Sequence, residues 1–217
     1  DLVRDGADAR LPDDISPDDT FAIIYSSATT GFPKGVMHSQ RNFVLSGEVH
    51  VARTHLQSDD RALCILPMFH INALFYSVAS AVTVGARLII APRFSAAQFW
   101  HLVAATGATQ VNAMMALGNI LARRPRSEFV REHKLRIVNG GGVTQETMDI
   151  FKNEFGVPRL IEGYGMTEMP AAFSNPYDGP HKPVCMGKPV VHPDPARSWT
   201  QARILDEEGR DVPEGAV

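Results

Sequence analysis

Apolar runs alternate with polar, helix-like stretches along most of the chain. Residues 21–27 (FAIIYSS) read as a buried strand that ends in hydroxyls. Residues 39–56 then read as a helix with Ser39 as its N-cap. Residues 61–67 form a second strand, stopped by Pro67. Residues 72–84 look like a buried helix punctuated by Gly85, and 87–92 make a third strand. Residues 95–107 are amphipathic, with Ser95 placed to cap a helix and Gly107 to end it. A strand over 108–114, a helix over 116–124 and a strand over 135–142 follow. Residues 144–156 read as a helix starting at Thr144, which lacks a capping box because Thr147 stands three residues on, and ending at Gly156. Residues 159–165 are one more strand.

At least five strand–helix steps of this kind predict an α/β fold with a mostly parallel sheet flanked by helices. In such sheets, ligands gather at the carboxyl ends of strands. The polar, glycine-rich stretches 26–35, 69–72, 139–142 and 163–168 all fall at such ends, which predicts one composite site. Residues 202–217 differ: a strand, a turn at Gly209 and a returning edge give a β-hairpin-like tail.

Composition narrows the class without naming a chemistry. The 217 residues are 44% apolar and 21% charged, the globular range. A net charge of -3 gives no bulk electrostatic case for nucleic acid or an anionic membrane. Residues 62–86 carry no Asp, Glu, Lys or Arg, yet polar residues and Pro67 interrupt them, so no transmembrane segment is expected. Two cysteines, Cys64 and Cys185, make neither a disulfide framework nor a zinc set, and a cytoplasmic location is the simplest expectation. His50 and His55 lie five apart, which suits no familiar metal-ligand spacing.

The stretch YSSATTGFPKGV carries the most chemistry. Ser26, Ser27, Thr29 and Thr30 offer hydroxyl donors, Gly31 and Gly35 let the backbone approach a ligand, and Lys34 adds a point charge. That set suits a di- or triphosphate, although alone it also fits a solvated turn after a strand. It is not the common P-loop, in which the lysine follows the second glycine; here Lys34 precedes Gly35.

The same stretch resembles the phosphate-loop signature of the adenylate-forming superfamily, which includes acyl-CoA synthetases, luciferases and peptide-synthetase adenylation domains. It departs at Ser26, where threonine is frequent, and at Ala28, where glycine is usual. A second stretch, EGYGMTE (162–168), resembles the superfamily's Tyr-Gly-x-Thr-Glu motif. The resemblance implies that Glu162, Gly163, Tyr164 and Gly165 border the adenine, with Tyr164 stacked on it. It further implies that Thr167 hydrogen-bonds the α-phosphate and that Glu168 binds Mg²⁺. LPMFHINAL (66–74) resembles the superfamily's motif with an aromatic residue before histidine, which implies that Phe69 and His70 sit where acyl substrate and adenylate meet. NGGG (139–142) resembles its glycine-rich adenine loop, which implies that Gly140, Gly141 and Gly142 line the base, although the three glycines also fit a simple turn. Residues 94–125 resemble the small-acid and crotonobetaine/carnitine-type CoA ligases more than peptide-synthetase domains.

By this resemblance the chain is an internal fragment: an α/β core over 1–190, the start of a β-rich segment over 191–217, and no small C-terminal domain. The implied reaction is ATP-dependent activation of a carboxylic acid to an acyl-adenylate, with pyrophosphate released and the acyl group passed to coenzyme A. Lys34, His70, Thr167 and Glu168 are its expected catalytic residues, and ATP, Mg²⁺, coenzyme A and a carboxylic acid its expected ligands. The fragment alone is expected to be inactive. Two alternatives stand beside this reading: a peptide-synthetase adenylation domain, and a non-catalytic truncated chain that binds nucleotide weakly or only self-associates through exposed edges.

Overall fold

The computed structural model describes residues 14–26, 31–113, 115–181, 185–213 and 215. Its main sheet has seven strands in the order β4-β3-β5-β6-β7-β8-β9: β3 (Arg61–Cys64), β4 (Arg87–Ile90), β5 (Gln110–Asn112), β6 (Ile137–Gly140), β7 (Arg159–Tyr164), β8 (Phe173–Ser174) and β9 (Lys188–Pro189). The first five run parallel, and β8 and β9 are antiparallel additions at one edge. The mostly parallel α/β sheet expected from the sequence is therefore present.

Helix α1 (Gln40–Thr54) starts at Ser39, whose side chain accepts from Asn42 N. The crossover after β3 opens with a π-helical stretch, Asn72–Val78, and continues as α2 (Ala79–Val84), ending at Gly85 with φ 70°. Between β4 and β5, a 3₁₀ turn over Ala96–Gln98 precedes α3 (Phe99–Thr106), and Ser95 makes no side-chain cap there. Helices α4 (Met115–Ala122) and α5 (Gln145–Asn153) complete the crossovers, and the Thr144 side chain caps α5 by accepting from Thr147 N. Among the described residues of the tail, Leu205 forms an isolated antiparallel bridge with Asp211 around the turn at Gly209.

One expectation needs correction. The apolar run at 21–27 does not enter the parallel sheet. It forms β1 (Thr20–Tyr25), which pairs antiparallel with β2 (Gly35–Ser39) as a separate two-stranded sheet. Ile24 is buried, whereas Ile23 and Tyr25 are 55% and 69% exposed. A short continuous apolar run cannot reveal whether one or both faces will be covered. Here a single layer, the Phe21, Phe43 and Phe75 rings, covers one face. The hydroxyl-rich loop consequently joins two antiparallel strands.

The chain steps from β3 to β4 on one side and then returns to β5 on the other side of β3. That reversal opens a crevice beyond the carboxyl ends of β3 and β5, where open α/β sheets bind ligands.

Candidate active site

A cavity of about 310 Å³ occupies that crevice. His70, Ile71 and Asn72 reach it from the segment after β3, Ala113 from the end of β5, the three glycines 140–142 from β6, and Gly163–Gly165 from β7. The sequence-predicted residues His70, Gly140, Gly141, Gly142, Gly163, Tyr164 and Gly165 are thus gathered into one wall. Tyr164 is 38% exposed at the tip of β7, so its ring face is open to a planar partner. A Cβ on Gly141 would sit 2.4 Å from Gly163 O, and one on Gly165 would sit 2.6 Å from the Tyr76 hydroxyl. Glycine at these two positions lets the ends of β6 and β7 close together, and it leaves backbone rather than side chain lining the cavity.

Glu162 faces away from open solvent and serves the glycine loop. Its Oε1 accepts from Val143 N at 3.0 Å. Burial pushes its carboxyl pKa up, while the backbone N–H groups of Val143 and Gly142 oppose that shift.

Thr167 and Glu168 follow Gly165, and His38 on β2 lies against them. Asn42 Nδ2 donates to His38 Nδ1 at 2.7 Å, leaving the proton on Nε2. Burial lowers the His38 pKa, and the Thr167 backbone and the Glu168 charge push it back up. The strand that leaves the hydroxyl-rich loop therefore touches the second motif. Lys34 is exposed at the start of that strand, its carbonyl accepting from Ser26 N at 3.0 Å, and it does not line the 310 Å³ cavity. Gly31 has φ 142°, a conformation that favours glycine. Ser27, Thr29 and Thr30 lie outside the described residues.

The exposed Glu168 carboxylate makes no ion pair among the described residues, and no group of three or more acidic, His or Cys side chains there could cage a metal. One hard oxygen ligand of this kind suits Mg²⁺, which keeps several waters and shares its remaining positions with nucleotide phosphates.

Sequence reasoning missed the polar floor of the cavity. Arg53, on the buried side of α1, donates from Nη2 to Asn139 Oδ1 at 2.9 Å. Asn139 Nδ2 donates to Asn112 Oδ1 at 3.0 Å, and Asn112 Nδ2 donates to Ser77 Oγ at 2.9 Å. In the other direction, Arg53 Nε donates to His50 Nδ1 at 3.3 Å. Burial, and then the Arg53 charge, push the His50 pKa well down, so its ring is neutral with the proton on Nε2. Nε2 lies 3.2 Å from the Gln110 amide, whose Oε1 is otherwise unpartnered. Turned with its oxygen toward the ring, that amide accepts from the His50 Nε2–H. His50 also stacks on Tyr76 with ring centroids 5.3 Å apart, and the Arg53 guanidinium lies 5.3 Å from the Tyr76 ring centre. A helical pattern over 39–56 carries no signal that one arginine points inward.

The cavity, its glycine walls and the open tyrosine lie together at the carboxyl ends of the strands, and comparison with known proteins gives the family of the chain. The chain belongs to the AMP-binding enzyme family, whose model matches residues 3–217. It is 35% identical to the sulfoacetate–CoA ligase of Cupriavidus necator over 93% of this chain and 38% of that protein. It is 31% identical to the crotonobetaine/carnitine–CoA ligase of Proteus mirabilis over 94% of this chain and 38% of that protein. In three dimensions it matches the ATP-bound MatB structure from Rhodopseudomonas palustris with a TM-score of 0.79 and 28% identity, covering 94% of this chain and 39% of that one. The chain thus spans about two-fifths of the length of these relatives.

Proposed function

We propose that a full-length protein carrying this chain is an AMP-forming acid–thiol ligase. It joins a carboxylic acid to ATP, releases pyrophosphate, and transfers the acyl group from the adenylate to the thiol of coenzyme A. The observation that carries this reading is the single cavity in which His70 from the β3 end meets the glycine loop and Tyr164 from the ends of β6 and β7. Relatives named for CoA ligation of sulfoacetate, crotonobetaine or carnitine, and fatty acids support the reaction class.

Each residue has a definable task. Tyr164 packs the adenine face, and the backbone at 140–142 approaches its edge. Thr167 donates to the α-phosphate. Lys34 and the hydroxyls of Ser26, Ser27, Thr29 and Thr30 hold the charged tail, offsetting the repulsion between two anions that must meet. Glu168 would hold Mg²⁺, which supplies charge neutralisation on the phosphates. His70 borders the cavity where the acid and the adenylate adjoin. Cys64 is buried and its thiol pKa is raised, chiefly by burial, so it is no nucleophile and no acyl-enzyme step is assigned.

Acid-dependent ATP–pyrophosphate exchange tests this reading. In the full-length protein, Lys34→Ala and Glu168→Ala are each expected to lower exchange about 10²-fold, the scale for removing one preorganised charge contact. Unchanged exchange in both variants overturns the roles given to them.

A further inference from the structure

Arg53 is a cation at a cavity wall with only neutral protein partners. His50 Nδ1 and Asn139 Oδ1 accept from it, and the Tyr76 ring flanks it. Among the described residues no carboxylate pairs with it, whereas Arg41, Arg124 and Arg136 each meet one. Its Nη1 makes no hydrogen bond there and lies beside Gly163, where an added Cβ would approach to 2.9 Å. His50 cannot share the charge, because it is neutral, and its Nε2–H faces Gln110. The surroundings thus aim a guanidinium at the cavity and leave its charge uncompensated, a costly arrangement unless an anion arrives.

The reacting carboxylate has another place to be. It must lie beside the nucleotide phosphate, toward His70 in the ligase reading above. Arg53 and His70 line the same cavity, so a second oxyanion on an acid held near His70 has a cation to meet there. With about 310 Å³ bounded by the adenine-facing glycines as well, the space fits a short acid.

We propose that Arg53 is a specificity-determining residue that receives the second, non-reacting anionic group, a carboxylate or a sulfonate, of a short doubly anionic acid. Nη1 and one neighbouring N–H of the fork donate to two of its oxygens. The Arg53–Asn139–Asn112–Ser77 chain and the His50–Gln110 pair hold the fork in place. The proposal rests on the ligase reading above and names its substrate class.

The test compares matched acids in the full-length protein: succinate against butyrate, and malonate or 3-sulfopropanoate against propionate. Wild type is expected to favour each dianion over its monoanion in kcat/KM by about 10²-fold, and the carboxylate and sulfonate arms show which head group fits better. Arg53→Gln is expected to raise KM for the preferred dianion about 10²-fold and to change kcat/KM for the monoanion less than about 3-fold. Arg53→Lys should recover part of the dianion preference. A wild type that prefers butyrate and propionate overturns the inference while leaving the ligase reading intact, as does an equal loss for both acid classes in a folded Arg53→Gln protein. The wild-type comparison decides even if that variant fails to fold. Exchange with none of the acids, and with no longer acid, overturns both readings.

Discussion

The two faces of the parallel sheet are built from the same strands and do opposite things. On one face, Val111 and Val138 meet a cluster of aromatic rings from α3, α5 and the segment after α4. Trp100 packs on Phe155 at 4.7 Å, on Phe129 at 4.9 Å and on Phe99 at 5.1 Å between ring centroids. On the other face, the alternate residues Gln110, Asn112 and Asn139 meet His50, Ser77 and Arg53 from α1 and the π-helical stretch. Both faces are dry. The first lowers the free energy by burying apolar area, with no direction to its contacts. The second costs desolvation that a chain of hydrogen bonds offsets, and those bonds have direction. The comparison teaches where stability and aim reside: the aromatic face holds the sheet together, and the polar face points a charge at the cavity.

Removing a ring tests the first half with the largest effect. Trp100 is 2% exposed, and Trp100→Ala is expected to lower unfolding free energy by about 4 kcal/mol in urea titration. Asn112→Ala strikes the polar face instead, leaving the Ser77 hydroxyl and the Asn139 amide without their partner. The expected loss is about 2 kcal/mol, with a larger effect on KM for the acid than Trp100→Ala has in whatever fraction remains folded. A loss equal to that of Trp100→Ala would mean that the polar chain is itself the core.

Acid gives the finest cut. The folded pKa of His50 is depressed below its usual 6.5 by burial and by Arg53, so the unfolded chain binds its proton more readily. Stability from the neutral ring is full above that usual value and is lost as pH falls below it, ahead of the carboxylates. One proton limits the slope to about 1.4 kcal/mol per pH unit. His50→Gln keeps an acceptor for Arg53 Nε and removes the titration, so its stability should change less between pH 7 and pH 5. An identical pH slope in the variant would show that other groups carry the acid sensitivity.

Much of the architecture was readable from residue patterns. The strands β3 to β7 and the helices between them follow the expected order, because each is a short apolar run bounded by glycine, proline or a capping hydroxyl. Ser39 and Thr144 cap helices as their positions suggested, whereas Ser95 does not, since the chain enters α3 through a 3₁₀ turn. The glycine loop, His70 and Tyr164 were legible as candidates because their residue types declare a chemistry. β2 was not legible: its five residues, GVMHS, have no sustained alternation, and only pairing with β1 makes them a strand. The π-helical stretch after His70 was equally hidden, since it differs from an α-helix by a shift in backbone pairing rather than in composition.

Period and punctuation along the chain settled which segments would be strands and helices, for those depend on neighbours a few residues apart. They also settled the kind of chemistry, because glycine, hydroxyl, lysine and carboxylate act through their own groups. Folding in three dimensions alone decided that residues 20–25 would pair with residues 35–39 and not join the main sheet. It alone turned Arg53 and His38 inward, toward partners 86 and more than 100 residues away. Burial and charge compensation are sums over such distant neighbours, and no local stretch of sequence contains them.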